Sequence, residues 1–388
     1  MRHLAASGIN LLIVGLLGFV ALIGWGINAF HRAGPTDAAT VVEIPRGADL
    51  DTIAGVLRDA GVVDYPAIFR IGVRYLGVES DLKFGVYRIE PGASMERIAG
   101  VLAEGGISTR FRITFGLRRS GVTVDIRDNL AADTAPRRGA ADDPAMQAAI
   151  SDALASNSSV TFRVTVPEGL TSRQIVAGLE RIAYLEAADV VQPPEGALAP
   201  NTYEFRRDAA ISTLLVQMEQ AQARILDRAW AARDPGLPFA TKIEALTLAS
   251  IIERETGVGE ERPLVASVFI NRLRRGMRLE TDPTIVYGIT RGIEPFDRAI
   301  TRSDIAGTTE RRLHGRVEFN TYQIDGLPPT PIANPGRAAI EAALNPADSA
   351  FFFFVADGTG GHAFAETYDE HLRNVARWQE IQSNREQN

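Results

Sequence analysis

From Leu4 to Phe30 the chain carries no charged side chain, and Leu11–Ile27 reads LLIVGLLGFVALIGWGI. A helix rises 1.5 Å per residue, so about 20 such residues cross a hydrocarbon layer of ~30 Å. Lipid offers no water to backbone N–H and C=O groups, which confines a run of this kind to a helix. A buried core helix and a cleaved signal peptide share the pattern. The exit, NAFHRAGP, holds no small-x-small cleavage site, which favours an uncleaved anchor over residues 1–32 with Trp25 at the interface. Charge does not fix its orientation, because Arg2 stands on one side and His31 and Arg32 on the other.

The remaining length is enough for two or three domains. With no cysteine, thiol nucleophiles, disulfides and Cys-ligated zinc are excluded. The five histidines, at 3, 31, 314, 362 and 371, form no H-x-x-x-H pair, so neither a metal nor a cofactor is expected. A net charge of −7 argues against a nucleic-acid partner, which calls for a basic footprint. Of 41 basic residues only Lys83 and Lys242 are lysines, which restricts any chemistry needing an amine.

Residues 42–62 and 87–107 align at an offset of 45, and the pentapeptide IAGVL at 53–57 returns at 98–102. Each copy reads as a strand, a Gly turn, a capping Asp49 or Ser94, and an amphipathic helix closed by Gly. A looser third copy starts at Val164, with Thr171 or Ser172 as the cap. Such a module serves either as a spacer or as a carbohydrate-binding unit. Residues 116–159 are rich in Ala, Asp, Ser and Pro, too poor in apolar side chains to offset the cost of ordering a backbone, and most of the stretch reads as a mobile insertion, with a short helix open to Pro144–Leu154. Beyond 160 the pattern predicts helices over Ile211–Trp230, Thr241–Thr256 and Leu264–Arg275. A further helix opens at Asn334-Pro335-Gly336, a buried strand covers Phe351–Val355, and a last helix spans Glu366–Gln382.

Glu253 is the strongest chemical candidate. Residues 243–252 are apolar nearly all round, and Leu246, Ala249, Ser250 and Glu253 fall on one stripe of that helix. Burial and the negative end of the helix dipole both raise the pKa of a carboxyl so placed, as a general acid near neutrality requires. A purely structural role, paired with Arg254 or Arg262, is the alternative, and Glu255 points to another side. The stretches 277–288 and 319–336 read as stiff polar loops, fixed by Asp282-Pro283 and by the prolines from Pro328 to Pro331. Their Thr281, Asp282, Asn320, Thr321 and Tyr322, with Ser250, are candidates for contacting a polar substrate through hydroxyl, amide or phenol groups.

LASIIERET, VFINRLRRGMRLETDPTIVYG, FNTYQIDGLPP, IANPG and FFFFVADGTGGHAF, with EGALAPNTYEF at 195–205, resemble the endolytic murein transglycosylase family (MltG/YceG-like). The resemblance covers most of the chain. It departs from the family pattern at Ala197, Asn201 and Thr330, and in the length of the 116–159 insertion. It implies an α+β architecture: the anchor, a LysM-like module over 40–115, the insertion, and a catalytic domain over 160–382. It also implies that Glu253 is the single acid–base of a lyase that cuts the β-1,4 bond between N-acetylmuramic acid and N-acetylglucosamine in nascent peptidoglycan. The product is a 1,6-anhydro end, and strand elongation stops there. The N-terminus would then be cytoplasmic, the body outside the inner membrane, and peptidoglycan synthases its partners. A non-catalytic glycan-binding scaffold is the competing reading. A remoter one is a pyridoxal-phosphate-dependent aminodeoxychorismate lyase, although neither Lys83 nor Lys242 lies beside a phosphate-binding Gly loop.

Overall fold

The computed structural model describes residues 2–131, 134–156, 158–307 and 317–386, so His314 and residues 132, 133 and 157 of the expected insertion lie outside it. The fold is mixed α+β, and the chain divides into two units. The first comprises Met1–Ile113, Asp125–Arg138 and Asp143–Thr161; the second comprises Thr114–Val124, Gly139–Asp142 and Phe162–Asn388.

In the first unit, helix α1 (Arg2–His31) has a Leu12–His31 span of mean hydropathy 2.1 that is only 6% buried. A core helix would be covered, so this one fits a membrane anchor. Its last turn is the exception. Ala29 and Phe30 are buried, Phe30 fills the space where a side chain on Gly72 would sit, and His31 lies 2.8 Å from Glu96.

The duplicated segments form β1 (Thr40–Ile44) with α2 (Leu50–Asp59), and β2 (Gly85–Ile89) with α4 (Met95–Glu104); α3 (Pro66–Leu76) comes between them. The two strands pair antiparallel from Thr40↔Ile89 to Ile44↔Gly85. The expected caps are present: Asp49 accepts from the Thr52 N–H and Ser94 from the Arg97 N–H. Both pentapeptides bury the same three positions, Ile53, Ala54 and Leu57 in one and Ile98, Ala99 and Leu102 in the other. The repeat is therefore one packing solution used twice.

Residues 116–159, expected to be mostly a mobile insertion, carry regular structure in strands as well as in the short helix that Pro144–Leu154 suggested. Strand β3 (Phe111–Arg118) runs into β4 (Gly121–Asp128), followed by β5 (Arg137–Ala140) and α5 (Pro144–Ala155). Alternation in GVTVDIRD buries Val122, Val124 and Ile126, and Asp143 caps α5 through the Ala145 N–H. Average composition concealed this period-2 pattern.

The third copy is β6 (Val160–Val166) and α6 (Ser172–Glu180), capped by Thr171 in a reciprocal box with Gln174. After β7 (Leu185–Glu186), β8 (Asn201–Phe205) pairs antiparallel with β6, from Phe162↔Phe205 to Val166↔Asn201. The resulting five-stranded sheet has the order β5–β4–β3–β6–β8. The chain continues through β9 (Ala209–Ala210), α7 (Ile211–Ala231), α8 (Lys242–Glu255), α9 (Arg262–Arg274), α10 (Asp282–Thr290), α11 (Arg302–Ile305) and α12 (Arg337–Leu344). It closes with the hairpin β10 (Phe353–Ala356) and β11 (His362–Ala365), then α13 (Tyr368–Glu386).

Three local expectations differ from the structure. Asp282-Pro283 opens α10 rather than fixing a loop, because proline at the first helical turn forfeits no hydrogen bond. Gly336, not Asn334, caps α12, which leaves Pro335 ahead of the helix. The Phe351–Val355 run is half-buried, since its hairpin has only two strands.

Candidate active site

Helix α8 is the centre of the second unit's core. Thr241 and Glu244 cap it reciprocally, and every residue from Ala245 to Ile252 is buried. Leu248, Ile251 and Ile252 pack with Val265 and Phe269 of α9 and with Ile340 and Leu344 of α12. A helix gripped on all sides holds the residue at its end to a fixed position.

That residue is Glu253, whose side chain is 6% exposed. One carboxyl oxygen accepts from the Gly336 N–H at 3.0 Å, and the other lies 3.4 Å from Arg262 Nη2. The same guanidinium nitrogen is 3.3 Å from Glu168 Oε2. A β-carbon on Gly336 would run into the Glu168 carboxyl, so glycine there lets the two acids approach one cation. Burial pushes Glu253 up to about 7, and the neighbouring Glu168 charge adds to it; the Gly336 N–H and Arg262 oppose the shift. At neutral pH such a carboxyl is poised both to give and to take a proton.

Glu168 comes from the turn of the third repeat copy, a segment whose sequence pattern points only to a strand–helix module. Gly169 beside it has φ +76°, and its missing β-carbon would lie 3.8 Å from Glu253 Cγ and 3.6 Å from Arg254 Cδ. A signal was present. The residue before the turn glycine is Arg46 in the first copy and Pro91 in the second, and it is acidic only in the third.

A second buried acid lies nearby. Glu195 accepts from the Ser172 N–H at 2.7 Å, from Tyr287 Oη at 3.2 Å and from Asn334 Nδ2 at 3.3 Å. Burial raises it to about 7 despite these donors. Asn334 is fully buried and also donates to the Leu170 carbonyl at 3.0 Å, while its Oδ1 accepts from the Leu198 N–H at 2.8 Å. This amide ties the Gly169–Ser172 turn to the Glu195–Leu198 loop.

The other sequence candidates are engaged with protein partners. Ser250 is fully buried, donates to the Thr247 carbonyl and accepts from the Ile332 N–H. Thr281 and Thr321 are buried against each other and Thr284, and Thr281 donates to Glu255. Asn320 Nδ2 donates to the Asp304 and Ile305 carbonyls, and its Oδ1 accepts from the Tyr322 N–H. These groups spend their polar atoms on protein partners. Tyr322 donates to exposed Asp282 at 2.8 Å. Glu255 is also raised to about 7 by burial, so the shift alone does not single out Glu253.

Partners separate the two acids: Glu255 is turned to Thr281, whereas Glu253 meets Arg262 and the Gly336 N–H. Neither carboxyl lines the adjoining cleft of about 520 Å³, but Gly169, whose missing β-carbon would lie 3.8 Å from Glu253 Cγ, lines it together with Arg254, Thr171, Tyr287 and Gly292. Tyr287 also connects this wall to Glu195.

A family model described as the YceG-like family matches residues 42–146 and 140–377. The endolytic murein transglycosylase of Bacillus subtilis (strain 168) is 27% identical over 348 residues, covering 89% of this chain and 86% of that protein. The endolytic murein transglycosylase of Streptococcus pneumoniae serotype 2 (strain D39 / NCTC 7466) is 28% identical over 395 residues, covering 95% of this chain; the match spans 65% of the pneumococcal protein. A crystal structure of a YceG-like protein from Listeria monocytogenes is 24% identical with a TM-score of 0.43, covering 86% of this chain and 98% of that one.

Proposed function

The chain belongs to the YceG-like family, and on that premise we propose that it is an endolytic murein transglycosylase with Glu253 as its one acid–base group. Glu253 protonates the glycosidic oxygen as the β-1,4 bond from N-acetylmuramic acid breaks. The carboxylate so formed takes the proton of the muramyl C6 hydroxyl as that oxygen bonds to C1, closing a 1,6-anhydro ring. The proton returns to Glu253, and no water is consumed. Hydrolytic glycosidases need two carboxylates to activate water or hold a glycosyl intermediate. Here the substrate supplies its own nucleophile, so a single carboxyl able to change protonation state near neutrality is sufficient.

The observation carrying this reading is Glu253 itself: held by Arg262 and the Gly336 N–H, raised to about 7, and bordered by residues of the cleft. The apolar α1 supports action at a membrane, with the N-terminus cytoplasmic and the body on the outer face near newly made glycan. Synthases at that surface are the fitting partners.

The test is digestion of uncrosslinked glycan strands by the full-length protein in detergent micelles. Interior cuts that shorten the strands and leave anhydro-muramyl ends are expected; strands of unchanged length would overturn the assignment. The pH profile is a second check. A general acid must enter the reaction protonated, so kcat/KM is expected to hold below pH about 7 and to fall about tenfold per pH unit above it. A profile flat through pH 9 would remove Glu253 from the acid role.

A further inference from the structure

The cleft carries a charge that its own walls leave unanswered. Arg118 and Arg119 line it from the end of β3, Arg173 and Arg181 from α6 and the residue closing it, and Arg254 from α8. Among the described residues none of the five makes an ion pair, whereas Arg138, Arg163 and Arg278 on other surfaces are matched to Asp125, Glu204 and Asp325. Among the described residues Glu294 is the sole acid in the lining. A chain of net charge −7 has thus gathered unpaired guanidinium groups in one concavity, where low-dielectric walls focus their field.

The arrangement is built rather than scattered. Arg173, Ala177 and Arg181 recur at intervals of four, so they share a face of α6, with the arginines about 12 Å apart along its axis. Ala177 leaves the ground between them open. Helix α6 lies close on β3: a β-carbon on Gly178 would come within 2.9 Å of the Leu117 side chain. Arg181 Nη1 is 3.8 Å from the place a β-carbon on Gly121 would take, which sets it over the turn that follows Arg118 and Arg119.

We propose that this arginine-lined cleft is a binding site for carboxylate groups of the substrate, namely those of the peptide stems on muramyl residues beside the cut. The proposal rests on the transglycosylase reading and names what part of the strand the site takes. Guanidinium forks bind carboxylates through paired N–H donors, and two pairs of forks on facing elements suit a ligand with several carboxylates along a flexible stem. Gly169 and Arg254 border both this cleft and Glu253, so a stem held there anchors the strand whose bond Glu253 attacks.

The experiment uses full-length protein carrying Glu253→Gln, which binds without cutting, and phosphate-free glycan fragments bearing stems. A second probe is the same fragments with every carboxyl converted to an amide. Adding Arg118→Gln with Arg119→Gln, or Arg173→Gln with Arg181→Gln, is expected to weaken binding of native fragments about tenfold or more, while the amidated fragments bind weakly and alike to all forms. Equal losses for both probes, no loss for either, or no binding of native fragments by the parent would overturn the proposal. The two readings fail separately. Carboxylate- and arginine-dependent binding by a protein whose wild type never shortens strands would leave the site standing and remove the reaction.

Discussion

Glu253→Gln is expected to lower turnover on glycan strands about 10³-fold, at the middle of the range for losing a positioned acid–base group. Glutamine keeps the volume and an oxygen for the Gly336 N–H, so the loss reports the proton rather than the packing. The same substitution carries an opposite stability signature. The folded pKa of Glu253 is about 7 against an ordinary 4.5, so below pH 4.5 the acid is protonated in both states and costs nothing. As pH rises through this window the unfolded state ionises first, and the fold loses up to about 3 kcal/mol by pH 8. Glu253→Gln removes that cost. Thermal melting is therefore expected to rise at pH 8 and to change little at pH 5. Turnover within tenfold of wild type, or an equal drop in melting temperature at both pH values, would contradict the role given to this carboxyl.

Asn334→Ala is expected to be the most destabilising single change around the site, at about 3–5 kcal/mol. It leaves the buried Leu198 N–H without its 2.8 Å acceptor and deprives Glu195 and the Leu170 carbonyl of a donor. The backbone of Asn334 still pairs with Leu170 and Gly169, so the fold is loosened rather than lost. Activity should fall as well, because Gly169 adjoins Glu253. A denaturation midpoint shifted by less than about 1 kcal/mol would mean that the amide bonds contribute little beyond solvent exchange.

Much of this architecture was legible because its causes are local. A cap and the helix behind it are neighbours in sequence, so Asp49, Ser94 and Thr171 could be read directly. The all-round apolar character of 243–252 announced a central helix, and the acid at its end followed. What stayed hidden depends on closure of distant segments. Asn334 and Glu195 meet across 139 positions, and nothing near either one signals the other. Asn334 therefore read as a helix cap, although the fold draws its side chain inward to satisfy two loops. Ser250, Thr281, Asn320 and Thr321 stand out in the sequence by polarity alone, yet a loop-rich interior consumes polar side chains to satisfy its own backbone. The cleft arginines could not be grouped from sequence, since Arg118 and Arg173 are brought together only when α6 lies on β3.

The central claim is that one carboxyl works without water, and isotope labelling of the products tests it most directly. Full-length protein is allowed to cut uncrosslinked strands in H₂¹⁸O, and the new muramyl ends are weighed by mass spectrometry. The mechanism proposed for Glu253 predicts anhydro ends, lighter by one water than reducing ends and free of ¹⁸O. Reducing ends that carry ¹⁸O would show water as the nucleophile and contradict it.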